Sequence, residues 1–440
     1  MAKTRLLRLM TLAVVLIAVQ RAALGASLNG PVAGHDVGPV LLSLILIIVA
    51  AKIGADLAVR IGQPPVLGEI ALGLVVGNLA LFGFHGFEYI KTDVVINSLA
   101  EIGVILLLFE VGLEADLAEM ARVGLSSTLV AALGVIAPFG LGFVVARAFL
   151  PEHSVYAHVF IGAVLCATSV GITARVFKDL GKLHLLEAKI VLGAAVIDDV
   201  MGLLVLAIVQ GIISAASGAG ALSGWQIALI IGKAAGFLVL AVALGQLLAP
   251  AIFRFASRMK AQGLLLAVAL AICFLFAYTA GRIGLAPIVG AFAAGLVLDK
   301  VHYRDFTDRG EHGLEDLLRP ITSFLVPIFF VLMGIRVSLN VFGSWQIIGF
   351  AGALTLAAVI GKQICSLGVI GKGLDRFLVG LGMIPRGEVG LIVAAIGARL
   401  TLHGEPIIDD KTFSAVVIVV MLTTLLTPPL LRWRMGEGRS

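Results

Sequence analysis

Two adjacent aspartates, Asp198 and Asp199, stand inside the apolar run VLGAAVIDDVMGLLVLAIV at residues 191–209. On insertion scales a carboxylate at the centre of a membrane helix costs about 2.5–3.5 kcal/mol, so a pair needs a reason to be there. Lys362, in AAVIGKQICSLGVIG, and the opposite charges Arg386 and Glu388, in MIPRGEVGLI, sit in comparably apolar surroundings. Ionisable groups at such depth pair with one another and mark ion pathways. Burial disfavours a carboxylate's charged form and a nearby cation restores it, so such a group can hold either a proton or a cation. Hydroxyls and freed backbone carbonyls complete the oxygen shell of a monovalent cation, and Thr168 and Ser169 in LCATSVGITARV supply hydroxyls. Salt bridges that merely tie helices together explain the pattern less well, because buried ion pairs stabilise weakly compared with apolar packing.

These residues need helices that cross a membrane, and the composition supplies them. The 440 residues are 60% hydrophobic and 13% charged, about half the charge of a soluble domain. Thirteen apolar stretches of spanning character lie at about 37–59, 65–84, 95–113, 123–149, 155–177, 185–215, 225–253, 261–281, 285–300, 319–342, 345–371, 374–402 and 409–431. With the start of the first span outside, 18 loop cations fall inside and five outside: Lys91, Arg147, Arg282, Arg399 and Lys411. That bias predicts an external amino end and a cytoplasmic carboxyl end, with a short tail at 433–440. Residues 1–26 combine Lys3, Arg5 and Arg8 with a short apolar core, and read as a signal sequence or an extra amino-terminal helix. Cys166, Cys273 and Cys365 fall in apolar segments without CxxC spacing, so they read as core residues. No cofactor and no nucleic-acid partner are expected. Lys52, Lys233 and Arg336 are expected to reach towards an interface, while Glu69 and Glu110 fit a structural or a functional role equally.

PVLGEIALGLVV (65–76) and PIVGAFAAGLVL (287–298) share six identities at one offset of 222 residues, among them Gly68/Gly290 and Gly73/Gly295. The same offset carries Gly112 in FEVGL onto Gly334 in VLMGI, and SVGI (169–172) matches EVGL (388–391) at 219. An odd number of spans separates the copies, so the repeats, about 65–215 and 287–431, are expected to be inverted. Inverted repeats place a site near the midplane, at helices that break. The Gly-rich, polar stretches 165–176 and 383–393 are the expected breaks.

The motifs QPPVLGEIALGLVVG, LLLFEVGLEAD, ATSVGITARVF, AAVIDDVMGLL, PIFFVLMGIRV and MIPRGEVGLI, in this order, resemble the cation/proton antiporters of the NapA and Kef type. The resemblance covers nearly the whole chain from about residue 37. It implies an all-α polytopic fold of about 13 transmembrane helices, with inverted repeats and two crossing broken helices, filling 37–432. It further implies a homodimer in a bacterial inner membrane, whose ion-carrying domain moves like an elevator in electrogenic proton exchange that serves pH homeostasis. Asp199 would be the ion-binding carboxylate, Asp198 its neighbour and Lys362 the partner of Asp198. Thr168, Ser169 and Glu388 would surround the site, with Arg386 beside them. Na⁺ or Li⁺ is the first expectation, and K⁺ stays open. Kef-type members carry a cytoplasmic regulatory domain, which this chain is expected to lack or to find on another chain. An intramembrane aspartyl protease would need its aspartates on separate helices, whereas here they are adjacent, so no enzyme activity is expected. A channel, or a sodium-coupled organic anion symporter of similar plan, would be told apart by transport assays.

Overall fold

The computed structural model describes residues 37–114, 124–182, 184–219, 224–259, 261, 263–298, 313–339, 344–371, 373–402 and 404–436. The expected signal sequence at 1–26 and the end of the tail lie outside the described residues. The chain opens with α1 (Val37–Arg60), α2 (Pro65–Gly77) and α3 (Val94–Glu114). Then come α4 (Leu125–Phe149), α5 (Val155–Val164), α6 (Val170–Asp179) and α7 (Leu186–Ala219). The long α8 (Gly224–Ser257) leads to α9 (Leu264–Arg282), α10 (Pro287–Val297) and α11 (Leu314–Arg336). The chain closes with α12 (Trp345–Ile364), α13 (Arg376–Gly382), α14 (Glu388–Arg399) and α15 (Asp410–Gly436). A two-residue ladder, β1 (Thr401–Leu402) with β2 (Glu405–Pro406), is antiparallel.

Among the described residues nine helices are long and apolar enough to cross a membrane, and the other apolar helices are shorter. Their starts follow local chemistry. Pro65 and Pro287 open α2 and α10, where the missing N–H is not needed. Asp93, Ser154, Asp375 and Asp409 accept N–H groups of the following turns, at Ile96, Ala157, Leu378 and Thr412, which is the work of an N-cap.

Several elements end earlier than their apolar sequence suggests. The stretch 65–84 stops being α-helical at Gly77, and 345–371 finishes in a 3-10 turn at Cys365–Gly368. The stretch 319–342 leaves the helix after Arg336 because Asn78 holds the chain: its amide donates to the Val337 carbonyl at 2.7 Å and its carbonyl accepts from Leu339 N–H at 2.8 Å. At the carboxyl end the helix runs on to Gly436, into the segment expected to be tail.

Backbone-to-backbone packing joins the two halves. A Cβ on Gly73 would lie 2.2 Å from the Val331 carbonyl oxygen, and one on Gly295 would lie 2.3 Å from that of Phe109. These are the same contact moved by 222 residues. Gly334 against Ile70 and Gly112 against Phe292 form a second such pair, at 2.2 and 2.3 Å. Lipid supplies no hydrophobic drive between helices, so close approach over small residues holds them. A second, smaller core gathers Val130, Phe177, Ala195, Cys365, Val379 and Leu431, from α4, α6, α7, the 3-10 turn after α12, α13 and α15. Leu240, Leu247 and Phe255 leave one face of α8 apolar and exposed, the surface that lipid tails accept.

Candidate ion site

The middle of α7 delivers Asp198, and the last turn of α12 delivers Lys362. Both side chains are fully buried, and the ammonium donates to Asp198 Oδ1 at 2.9 Å. An ammonium near a helix C-terminus also faces the carbonyl end of the helix dipole, which favours its charge. Gly134 of α4 roofs the pair: a Cβ there would stand 3.3 Å from Lys362 Nζ and 3.5 Å from Asp198 Oδ1. Asp198 Oδ2 is buried and has no hydrogen-bond partner among the described residues. A carboxylate that spends half its acceptors in a dry interior has capacity for one more donor or a cation.

One residue along a helix turns the side chain by about 100°. Asp199 therefore leaves the direction of Lys362 and is half-buried, where Asp198 is fully buried. Asp198 is paired with Lys362 in the interior, and Asp199 is half-buried beside it.

The two expected breaks are observed. Helix stops at Val164 and resumes at Val170; it stops again at Gly382 and resumes at Glu388. Pro385 explains the second, since proline lacks an N–H and disfavours helix in the residue before it. The breaks meet. Ser169 N–H donates to the Pro385 carbonyl at 2.8 Å, and the Thr173 hydroxyl donates to the Gly382 carbonyl at 2.7 Å. Gly387 makes the crossing possible, because a Cβ there would come within 2.5 Å of the Ser169 side chain.

Arg386, 1% exposed, closes the other loose ends. Its Nη1 donates to the Cys166 and Ala167 carbonyls at 3.2 and 2.7 Å, and its Nη2 to the Ala358 carbonyl at 3.2 Å. The Cys166 and Ala167 carbonyls, freed beyond the end of α5, carry partial negative charge, while that of Ala358 lies inside α12; a guanidinium with five donors is suited to collect all three. Arg386 also lies within electrostatic reach of Asp198 and Lys362. The breaks and the Lys362–Asp198 pair therefore share one buried electrostatic environment.

The structure brings together Asp198, Lys362, Arg386 and Ser169 in this way. Thr168 is 2% exposed, and its hydroxyl has no hydrogen-bond partner among the described residues. Glu388 opens α14 by its backbone; its side chain lies outside the described residues. Sequence reasoning did not single out Gly134 or Thr173. Thr173 had a signal, since it follows Ser169 by one helical turn, whereas Gly134 is one small residue in an apolar helix. Of the other intramembrane charges, Lys52 donates to the Ser323 carbonyl at 3.3 Å, and Arg336 donates to Asn97 Oδ1. Glu69 is 6% exposed.

A family model described as the transmembrane part of sodium/hydrogen exchangers matches residues 40–433. The chain is 35% identical over 427 residues to the high-affinity Na⁺/H⁺ antiporter NhaS3 of Synechocystis sp., covering 89% of each protein. It is 36% identical to the Na⁺/H⁺-K⁺ antiporter GerN of Bacillus cereus, covering 89% of this chain and 95% of the relative. The sodium proton antiporter MjNhaP1 of Methanocaldococcus jannaschii, solved at pH 8, superposes with a TM-score of 0.65 at 18% identity, covering 90% of this chain and 97% of the other. That likeness speaks for the fold, and the sequence matches speak for descent. A multi-pass helical protein with crossed helix breaks and a buried Lys–Asp pair, matched along nearly all its length, belongs to the sodium/hydrogen exchanger family.

Proposed function

We propose that the chain is a secondary antiporter that exchanges protons for a monovalent cation, with Na⁺ or Li⁺ as its preferred cargo. One observation carries the reading: a fully buried Lys362–Asp198 pair with a spare carboxylate oxygen beside the half-buried Asp199. Asp199 first gives up its proton; a cation arriving at the two carboxylates then competes with the Lys362 ammonium for Asp198, and the displaced ammonium, held in a dry site, gives up the second proton. On the return, one proton goes to Asp199 and one to Lys362. Their titrations belong to the group as a whole. Thr168, Ser169, Glu388 and the carbonyls at the breaks complete the shell, and Arg386 holds the breaks in place. The chain acts as a transporter, and the only bonds that change are those of the exchanged protons.

Alternating access is of the elevator kind, with α4–α7 and α12–α15 carrying the site past α1–α3 and α9–α11. The contacts repeated at 222 residues support an inverted repeat relating the two halves. The protein works as a homodimer in the bacterial inner membrane with its carboxyl end in the cytoplasm, an orientation supported by the loop cations. A second reading, K⁺ exchange, is favoured by the K⁺ in the name of GerN.

Proteoliposomes loaded with a proton gradient and a pH-sensitive dye test both readings. Addition of Na⁺ or Li⁺ should dissipate the gradient at concentrations where K⁺ does little. A response to K⁺ that exceeds those to Na⁺ and Li⁺ selects the second reading, equal responses to all three overturn the stated preference, and no response to any cation sinks exchange altogether.

A further inference from the structure

Away from the aspartates, a cavity of about 680 Å³ opens where the α6–α7 loop, the segment leading into α13 and the end of α15 converge. Its polar lining comprises Lys182, His184, Glu187, Asp375, Arg376 and Arg434. The two acids are already engaged. Asp375 accepts Leu378 N–H at 3.1 Å on one oxygen and Arg434 Nε at 2.8 Å on the other, and Glu187 accepts Asp375 N–H at 3.0 Å.

The cations keep donors in reserve. Arg434 spends Nε on Asp375 and stacks 5.8 Å above the Phe377 ring, while its Nη groups have no acceptor among the described residues. Lys182 gives one of its three donors to the Met435 carbonyl at 3.0 Å. The Arg376 side chain is exposed and has no partner among the described residues. His184, also exposed, adds a fourth donor. Donors thus outnumber acceptors around a space in the range of small-molecule sites, about 300–1,000 Å³, too large for a single chloride. Forked guanidiniums and a lysine spread over such a space match the several oxygens of a phosphoryl group.

We propose that this cavity binds a phosphoryl anion, carried either by a soluble nucleotide or by a phospholipid headgroup. That it faces the cytoplasm rests on the orientation proposed above; that it binds phosphate does not. The ligand would join three segments that all attach to the helices of the ion site, α6, α7, α13 and α15, and so would stiffen that group of helices.

Thermal unfolding of the full chain in detergent reads binding without any need for transport, so failure here leaves the exchange assay to judge exchange. The soluble probe is ATP without magnesium. The lipid probe is dioctanoyl phosphatidylglycerol, set against dioctanoyl phosphatidylcholine, and sodium chloride at equal ionic strength controls for salt. At least one phosphoryl probe should raise the midpoint by about 2 °C or more beyond its control. The probe that does so identifies the source. Arg376→Gln and Lys182→Gln, which remove no partner of another side chain, should each weaken the apparent affinity about tenfold. No shift beyond the controls with either probe, or an unchanged shift in both variants, overturns the site.

Discussion

Asp198 and Lys362 form a pair that neither partner can leave cheaply. Removing the ammonium with Lys362→Met strands a fully buried carboxylate, a change that costs about 3–5 kcal/mol in other proteins. Thermal unfolding should show this as a large fall in midpoint, and the double variant Asp198→Asn with Lys362→Met should recover most of it. If the single variant is as stable as the parent, the pair is not closed in solution. Asp199→Asn should behave differently, leaving yield and unfolding near the parent while abolishing cation-dependent proton movement in proteoliposomes, because Asp199 is half-buried and its proposed work is to titrate. The charges were legible in the sequence because their insertion cost makes them conspicuous in apolar runs. The Cys166, Ala167 and Ala358 carbonyls that receive Arg386 were not. A backbone acceptor leaves no trace in residue type, and only the fold shows which carbonyls come to face a buried guanidinium.

At the scale of elements the crossing is the feature most easily disturbed. Gly387→Ala puts a methyl against Ser169 where no flexible chain end can yield, and overpacking of this kind costs about 1–3 kcal/mol. It should lower both the unfolding midpoint and the apparent cation affinity. Gly236→Ala, where an added Cβ meets open space, should change neither. Ser169→Ala and Glu388→Gln should alter cation affinity more than protein yield; unchanged affinity in both would reduce the breaks to packing. The breaks were readable from Gly and small polar residues at mid-span, and in the second case from Pro385. Helix ends were less so. Nothing in the sequence near 337 announces that Asn78, distant along the chain, will pull Val337 and Leu339 out of the helix.

At the scale of the whole molecule, polar links among the described residues between the helices proposed to carry the site and the others include Arg399 with Glu101, and Ser338 N–H to the Ser414 hydroxyl at 3.1 Å. The first pair is 40% and 54% exposed, and exposed pairs contribute about 0–1 kcal/mol. Arg399→Gln should therefore change the exchange rate only a few-fold, and a complete loss would mean that Arg399 takes part in carrying the ion. Exchange of two protons for one cation should set a reversal potential that responds to imposed voltage, by about 2.3 kcal/mol per net charge per 100 mV. A voltage-indifferent reversal point at one-to-one exchange would sink the two-proton cycle and leave antiport standing. The 222-residue repeat could be read from the sequence because it is a property of many residues summed, and it returns as paired backbone contacts. Helix length has a further consequence. The 34 residues of α7 and of α8 extend about 51 Å each, against a hydrocarbon layer about 30 Å thick. The 11 residues of α10 reach only about 17 Å. Long helices must tilt or project, and their fit changes with the thickness of the membrane around them. Turnover in vesicles of short, medium and long acyl chains should pass through a maximum, which makes the host bilayer itself a determinant of the rate.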